Sequence, residues 1–170
     1  TPVPIPQSYA EGLAIVDHFK LSDPDPNSNF VRATCKENGA AVIIKSIPSF
    51  FIEKQITCFG IVAFIYQYKN IIHPAIAPLQ ALIVPDLENP AIYRFVSEYK
   101  EKGSLVDLYK EYPFAQNQKF WTSTRKSIIA FGIAASMQFL QSKYSNCGFL
   151  SPYCILFDKD IKPYLSNFWY

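Results

Sequence analysis

Charge of one sign is what this 170-residue chain lacks most plainly: 16 Lys and Arg stand against 14 Asp and Glu, a formal net charge of +2. No basic field is available to hold a run of phosphates, so nucleic acid is not expected as a partner. With 49% of residues hydrophobic and 18% charged, the chain also falls outside the disordered class, which combines low hydrophobicity with high net charge. A long apolar run is missing too. The two longest, from Ile56 to Tyr66 and from Ile128 to Leu140, are shorter than the ~20 residues a bilayer span needs. The opening Thr-Pro-Val-Pro-Ile-Pro lacks the basic-then-apolar order of a secretory leader. An initiator Met is absent, and the chain is expected to be a processed or excerpted piece. Cys35, Cys58, Cys147 and Cys154 form no C-x-x-C pair, and His18 and His73 are the only histidines, so no zinc centre is expected. Cys147 and Cys154 could form a metal pair at spacing seven, but reduced, buried thiols in a cytoplasmic protein are the expected state.

What is present organises into alternating patterns. Residues 1–8 are Pro-rich and read as an arm, and residues 22–29 (Ser-Asp-Pro-Asp-Pro-Asn-Ser-Asn) as a turn segment without an apolar residue. Phe30–Cys35 and residues 40–47 read as two strands around Asn38-Gly39, a hairpin signal because both residues tolerate positive φ. Residues 50–68 are apolar on nearly every face, and their length favours a helix. Residues 76–83 and 91–99 read as a second strand pair, broken at Gly103. Ser104 is placed to cap a short helix, and Ser123–Lys143 is the strongest helix of the chain. Its apolar positions Ile128, Ile129, Phe131, Gly132, Ala135, Phe139 and Leu140 recur near the 3.6-residue period. Residues 154–157 and 164–168 read as a closing hairpin. The order implies an α+β fold.

Six segments in this order resemble a protein kinase domain of the tyrosine-kinase-like branch, read from its start to the metal-binding motif and covering about residues 16–170. Val42-Ile-Ile-Lys45 is similar to the third-strand V-A-I-K motif, and His73-Pro-Ala-Ile76 to the H-P-x-I that follows the C-helix. Ser97-Glu-Tyr-Lys100 and Glu101-Lys-Gly-Ser-Leu105 resemble the hinge and the opening of the next helix. Residues 129–143 resemble the long helix before the catalytic loop. Residues 150–157 (Leu-Ser-Pro-Tyr-Cys-Ile-Leu-Phe) resemble L-K-P-x-N-I-L-L, and Tyr164-Leu-Ser-Asn-Phe168 the strand entering D-F-G.

The resemblance implies a phosphate loop, a Lys–Glu pair, a base and metal ligands, and each position can be inspected. The three loop glycines fall on Pro24, Pro26 and Asn29, and proline offers no N–H to a phosphate. Lys45 is retained, as the kinase lysine or as an ordinary strand lysine. Its expected carboxylate partner falls near Phe64, where residues 56–66 hold no acid, and Glu53 comes about three turns early. The H-R-D positions become Cys147, Gly148 and Phe149. Phe149 cannot accept a proton, a loss of about 10²–10⁴-fold in rate by itself. Ser151 replaces the loop Lys, and Cys154 replaces the metal-binding Asn, a thiol being a poor ligand for hard Mg²⁺. Asn167 takes the D-F-G aspartate position as the one weak metal candidate or as a plain turn residue, and Trp169 the glycine position. The nearest acids, Asp158 and Asp160, lie in the closing hairpin turn. Ile43 replaces the small alanine that roofs the adenine, and overpacking of that kind costs about 1–3 kcal/mol. Leu156 matches the floor.

The expected organisation is an arm (1–15), a kinase-like β-sheet N-lobe with one helix (16–97), a hinge (98–103) and the first part of a helical C-lobe (104–170). That partial lobe ends where the family would begin its activation segment. The residues implied for a nucleotide pocket are Lys45, Val31, Ile43, Glu98, Lys100, Asp107 and Leu156. No catalytic residue and no cofactor, neither ATP nor Mg²⁺, is expected. The expected function is that of a cytoplasmic pseudokinase, a binding or regulatory module. Its protein partner would dock on the apolar helix around Ile56 and Tyr66, unless that helix is simply core. The alternatives are a residual ATP-binding kinase and a fragment without activity.

Overall fold

The computed structural model describes residues 13–14, 19–21, 30–48, 71–77, 79–83, 92–143 and 150–166. The chain divides into two compact units, Thr1–Ile71 with Pro78–Tyr99, and Ile72–Ala77 with Lys100–Tyr170. The sequence-expected helix over residues 50–68, and with it the proposed partner face around Ile56 and Tyr66, lies outside the described residues.

Among the described residues the first unit is built on a six-stranded sheet. In chain order the strands are β1 (Leu13–Ala14), β2 (Phe19–Leu21), β3 (Phe30–Cys35), β4 (Ala41–Pro48), β5 (Leu79–Ile83) and β6 (Ile92–Glu98). They lie side by side as β1-β5-β6-β4-β3-β2. Every neighbouring pair is antiparallel except β1 with β5, where Leu13 stands opposite Leu82. The β3–β4 hairpin turns on Gly39, at φ 71°, and the Asn38 side-chain oxygen accepts the Ala40 N–H at 2.9 Å. A glycine suits the left-handed conformation that closes such a loop. Alternation along the strands places Ala33, Cys35, Val42, Ile44, Ala81, Ile83 and Val96 in one buried cluster.

Two expectations shift here. Leu13–Ala14, read as part of the arm, is a strand. Strand β5 begins at Leu79 rather than at residue 76. The stretch before it turns at His73-Pro74, and its backbone pairs elsewhere: the Ala77 N–H donates to the Leu165 carbonyl and the Leu165 N–H to the Ala75 carbonyl, both at 2.8 Å.

The second unit holds β7 (Gly103–Ser104), helix α1 (Leu105–Glu111), helix α2 (Ser123–Lys143), a 3-10 turn at Pro152–Cys154, β8 (Ile155–Phe157) and β9 (Pro163–Leu165). Strands β7, β8 and β9 form a small antiparallel sheet in that order. The closing hairpin starts one residue later than read in its first strand and one earlier in its second, residues 167–168 lying outside the described residues, and it gains β7, which the sequence showed only as a break and a cap. Leu108, Trp121, Ile129, Ile155 and Phe157 form one buried cluster of this unit. Helix α2 starts where Thr122 Oγ1 accepts the Arg125 N–H at 3.1 Å. Its buried residues are Ile129, Gly132, Ser136 and Leu140, whereas Ile128 and Phe131 are 55% and 76% exposed. The apolar stripe expected from periodicity is corrected at two positions: Ile129, Gly132 and Leu140 face inward together with Ser136, but Ile128 and Phe131 face water. Among the described residues no helix is long and apolar enough to cross a membrane.

Candidate functional site

The sequence-expected pocket residues divide between the two units. In the first, Lys45 is half-buried on β4, with Phe30 of β3 and Phe95 of β6 as its register partners. Ile43 shares its strand face, two residues away, and pairs with Arg32 and Ser97. Val31 is placed differently. It stands opposite Ile44, and the two-residue period of a strand puts Ile44 on the face away from Ile43 and Lys45. The structure therefore does not gather Val31 with the lysine, because the β3–β4 hairpin sets a register one residue off the one that would align them. Glu98 ends β6 opposite Val42 and is half-buried.

In the second unit Lys100 is buried, at 6% exposure, and its ammonium sits 3.7 Å from the centroid of the Tyr164 ring. A cation over an aromatic face is held by the ring quadrupole. The Tyr164 hydroxyl donates to Asp158 Oδ2 at 3.0 Å, while Asp158 Oδ1 accepts the Asp160 and Lys162 N–H groups, each at 3.0 Å. Asp158 thus organises the β8–β9 turn. The Lys100 carbonyl accepts the Gly103 N–H at 3.0 Å, closing the bend that leads into β7.

Asp107 is engaged by its own helix. Its Oδ2 accepts the Ser104 N–H at 2.9 Å and the Ser104 hydroxyl at 2.7 Å, while Ser104 Oγ accepts the Asp107 N–H at 3.2 Å. This reciprocal cap satisfies donors that the first turn of α1 leaves open. Gly103, at φ 67°, admits it: a Cβ there would stand 2.8 Å from Asp107 Oδ2.

Leu156 is half-buried on β8 between Ser104 and Tyr164. Cys154 is buried, with its Sγ 3.3 Å from Ser151 Oγ. Its carbonyl accepts both the Ser166 N–H at 2.7 Å and the Ser166 hydroxyl at 3.2 Å. The loop around Cys154 is in this way clamped to the end of β9. Pro24, Pro26, Asn29, Glu53, Phe64, Cys147, Gly148, Phe149, Asn167 and Trp169 lie outside the described residues.

Sequence reasoning missed an apolar groove beside α1. It has a volume of about 480 Å³ and is lined by Val106, Tyr109, Phe114, Trp121, Ile129 and Ala130 among others. Its sequence signal was faint: aromatic residues in the α1–α2 connection, where a loop has no need of them. Trp121 anchors that connection by donating its indole N–H to the Tyr112 carbonyl at 2.7 Å.

No family model matches the chain. Among curated proteins it is similar to the leucine-rich repeat receptor-like serine/threonine/tyrosine-protein kinase SOBIR1 of Arabidopsis thaliana, with 30% identity over 102 residues, which is 58% of this chain and 15% of that protein. The chain therefore spans a small part of the length of the curated relative it matches, and the similarity is to a kinase-related sequence.

Proposed function

We propose that the chain is a protein-kinase-like domain that does not transfer phosphate and serves as a binding or regulatory module. The observation that carries this reading is Cys154. It stands where the resembled family holds its magnesium-binding Asn, and it is buried with its thiol against Ser151 Oγ at 3.3 Å. Mg²⁺ takes hard oxygen ligands in an octahedral shell, and a thiol does not supply one. Two further features support the reading. Phe149, at the base position, has no atom able to accept a hydroxyl proton. Asp107, implied for the nucleotide pocket, has Oδ2 committed to the cap of α1. These side chains do not fit a magnesium nucleotide. The relative with 30% identity supports the kinase-like part of the proposal.

A partner-binding role through the apolar residues between Ile56 and Tyr66 belongs to the same proposal, as does a cytoplasmic setting, with which the buried thiols Cys35 and Cys154 are in keeping. Thermal unfolding with and without ATP and Mg²⁺, paired with a radiolabelled-phosphate assay on the full chain, is the test. The expected result is an unchanged midpoint and no labelled product. Stabilisation by ATP that Lys45→Ala removes would favour the residual ATP-binding reading. Labelled peptide product abolished by the same substitution would defeat the proposal.

A further inference from the structure

The groove beside α1 stands apart from the residues considered above and has its own chemistry. Its walls are Val106 and Tyr109 from α1, Phe114 and Trp121 from the connection, and Ile129 and Ala130 from α2. The lining presents almost no polar surface. Its volume of about 480 Å³ lies within the ~300–1,000 Å³ usual for small-molecule sites.

One charged side chain lines it. Lys126 reaches over the Phe114 ring, 5.1 Å from its centroid, and no acidic residue is among the described lining residues. The acids of α1 are engaged elsewhere: Glu111 pairs with Lys102 at 2.9 Å, and Asp107 closes the helix cap. A cation therefore marks the edge of a groove whose lining surface is almost wholly apolar. A peptide laid there would bury N–H and C=O groups without partners, which is unfavourable. An aliphatic tail carries no such groups, and its burial is favourable.

We propose that this groove binds an amphipathic monocarboxylate, a fatty carboxylate whose tail lies along Tyr109, Trp121 and Ile129 and whose head pairs with Lys126. The site does not depend on the proposed function, because none of its residues belongs to the implied nucleotide pocket. Calorimetric titration of the full chain with dodecanoate, dodecyltrimethylammonium and acetate, all below micelle-forming concentrations, tests it. Dodecanoate is expected to bind one to one and acetate not at all. An exposed ion pair contributes up to about fivefold in affinity, so the cationic amphiphile, which lacks it, is expected to bind up to about fivefold more weakly. Lys126→Gln should remove that preference while leaving the unfolding midpoint in place. Ala130→Trp, which fills the groove from an exposed position, should abolish binding with the fold retained. Equal affinity for the two head groups in the unsubstituted chain, no saturable dodecanoate binding, or full binding by folded Ala130→Trp would each overturn the proposal.

Discussion

His73 holds its loop as a neutral ring. Its Nδ1 accepts the Ala75 N–H at 3.1 Å, and the ring lies against Phe139 with centroids 5.0 Å apart. Only the unprotonated nitrogen can accept, and burial lowers the imidazole below its ordinary pKa. The folded pKa is therefore below the unfolded one, and the unfolded chain binds more protons in that window. The contribution is fully present above the ordinary imidazole pKa and is lost as pH falls through the folded value. Between about pH 8 and pH 5 the urea midpoint of the unsubstituted chain should fall. In His73→Asn, which keeps an acceptor but does not titrate, the fall should be smaller. Parallel midpoint curves for the two proteins would show that His73 makes no contribution.

At the scale of elements, the packing of α2 on β9 depends on a residue without a side chain. A Cβ on Gly132 would stand 2.6 Å from Pro163 Cγ, and a proline ring cannot swing aside. Two effects of Gly132→Ala oppose each other. Alanine favours the helix by up to about 1 kcal/mol, whereas overpacking costs about 1–3 kcal/mol. The clash is with a rigid ring, so the expected outcome is net destabilisation of about 0.5–2 kcal/mol, read as a lower denaturant midpoint. A raised midpoint would mean that β9 moves away freely. The same helix shows which features a sequence displays and which it hides. Its bounds were legible, because no proline and few turn formers interrupt Ser123–Lys143. The cap of α1 was legible from Ser104 set three residues before Asp107. The inward face of α2 was legible only in part: Ile129, Gly132 and Leu140 of the expected stripe are buried, but close approach also selects Ser136, which hydrophobic periodicity counts as a gap. Ser136 is fully buried yet satisfied, its hydroxyl donating to the Ile133 carbonyl at 2.8 Å.

Across the whole molecule, the pairing of β3 with β4 and of β5 with β6 could be read from alternation and turn residues, since each signal is local, whereas the β4–β6 pairing that joins the two could not. Register could not. Whether Val31 faces Lys45 depends on a hairpin that shifts one residue, and a one-residue shift reverses every side chain. Residues 72–77 belong to the second unit although the chain on both sides belongs to the first, a long-range pairing that no local pattern reveals. Asp107 and Lys100 were legible as residue types and not in their contacts, the cap of α1 and the Tyr164 ring, both within the second unit. One whole-chain property follows from the exposed pair on α2. Ile128 and Phe131 put large apolar area in water on a chain whose net charge is only +2, so little repulsion opposes self-association. Replacing both with lysine raises the formal net charge from +2 to +4, two added cations on the same count. Neither side chain is buried, so stability should change by no more than about 0.5 kcal/mol per site. The concentration at which light scattering rises should increase. Ser136→Lys adds one charge in a buried position and should instead unfold the helix packing, separating the effect of charge from that of place. Scattering unchanged in the double variant, with its midpoint intact, would show that this face plays no part in self-association.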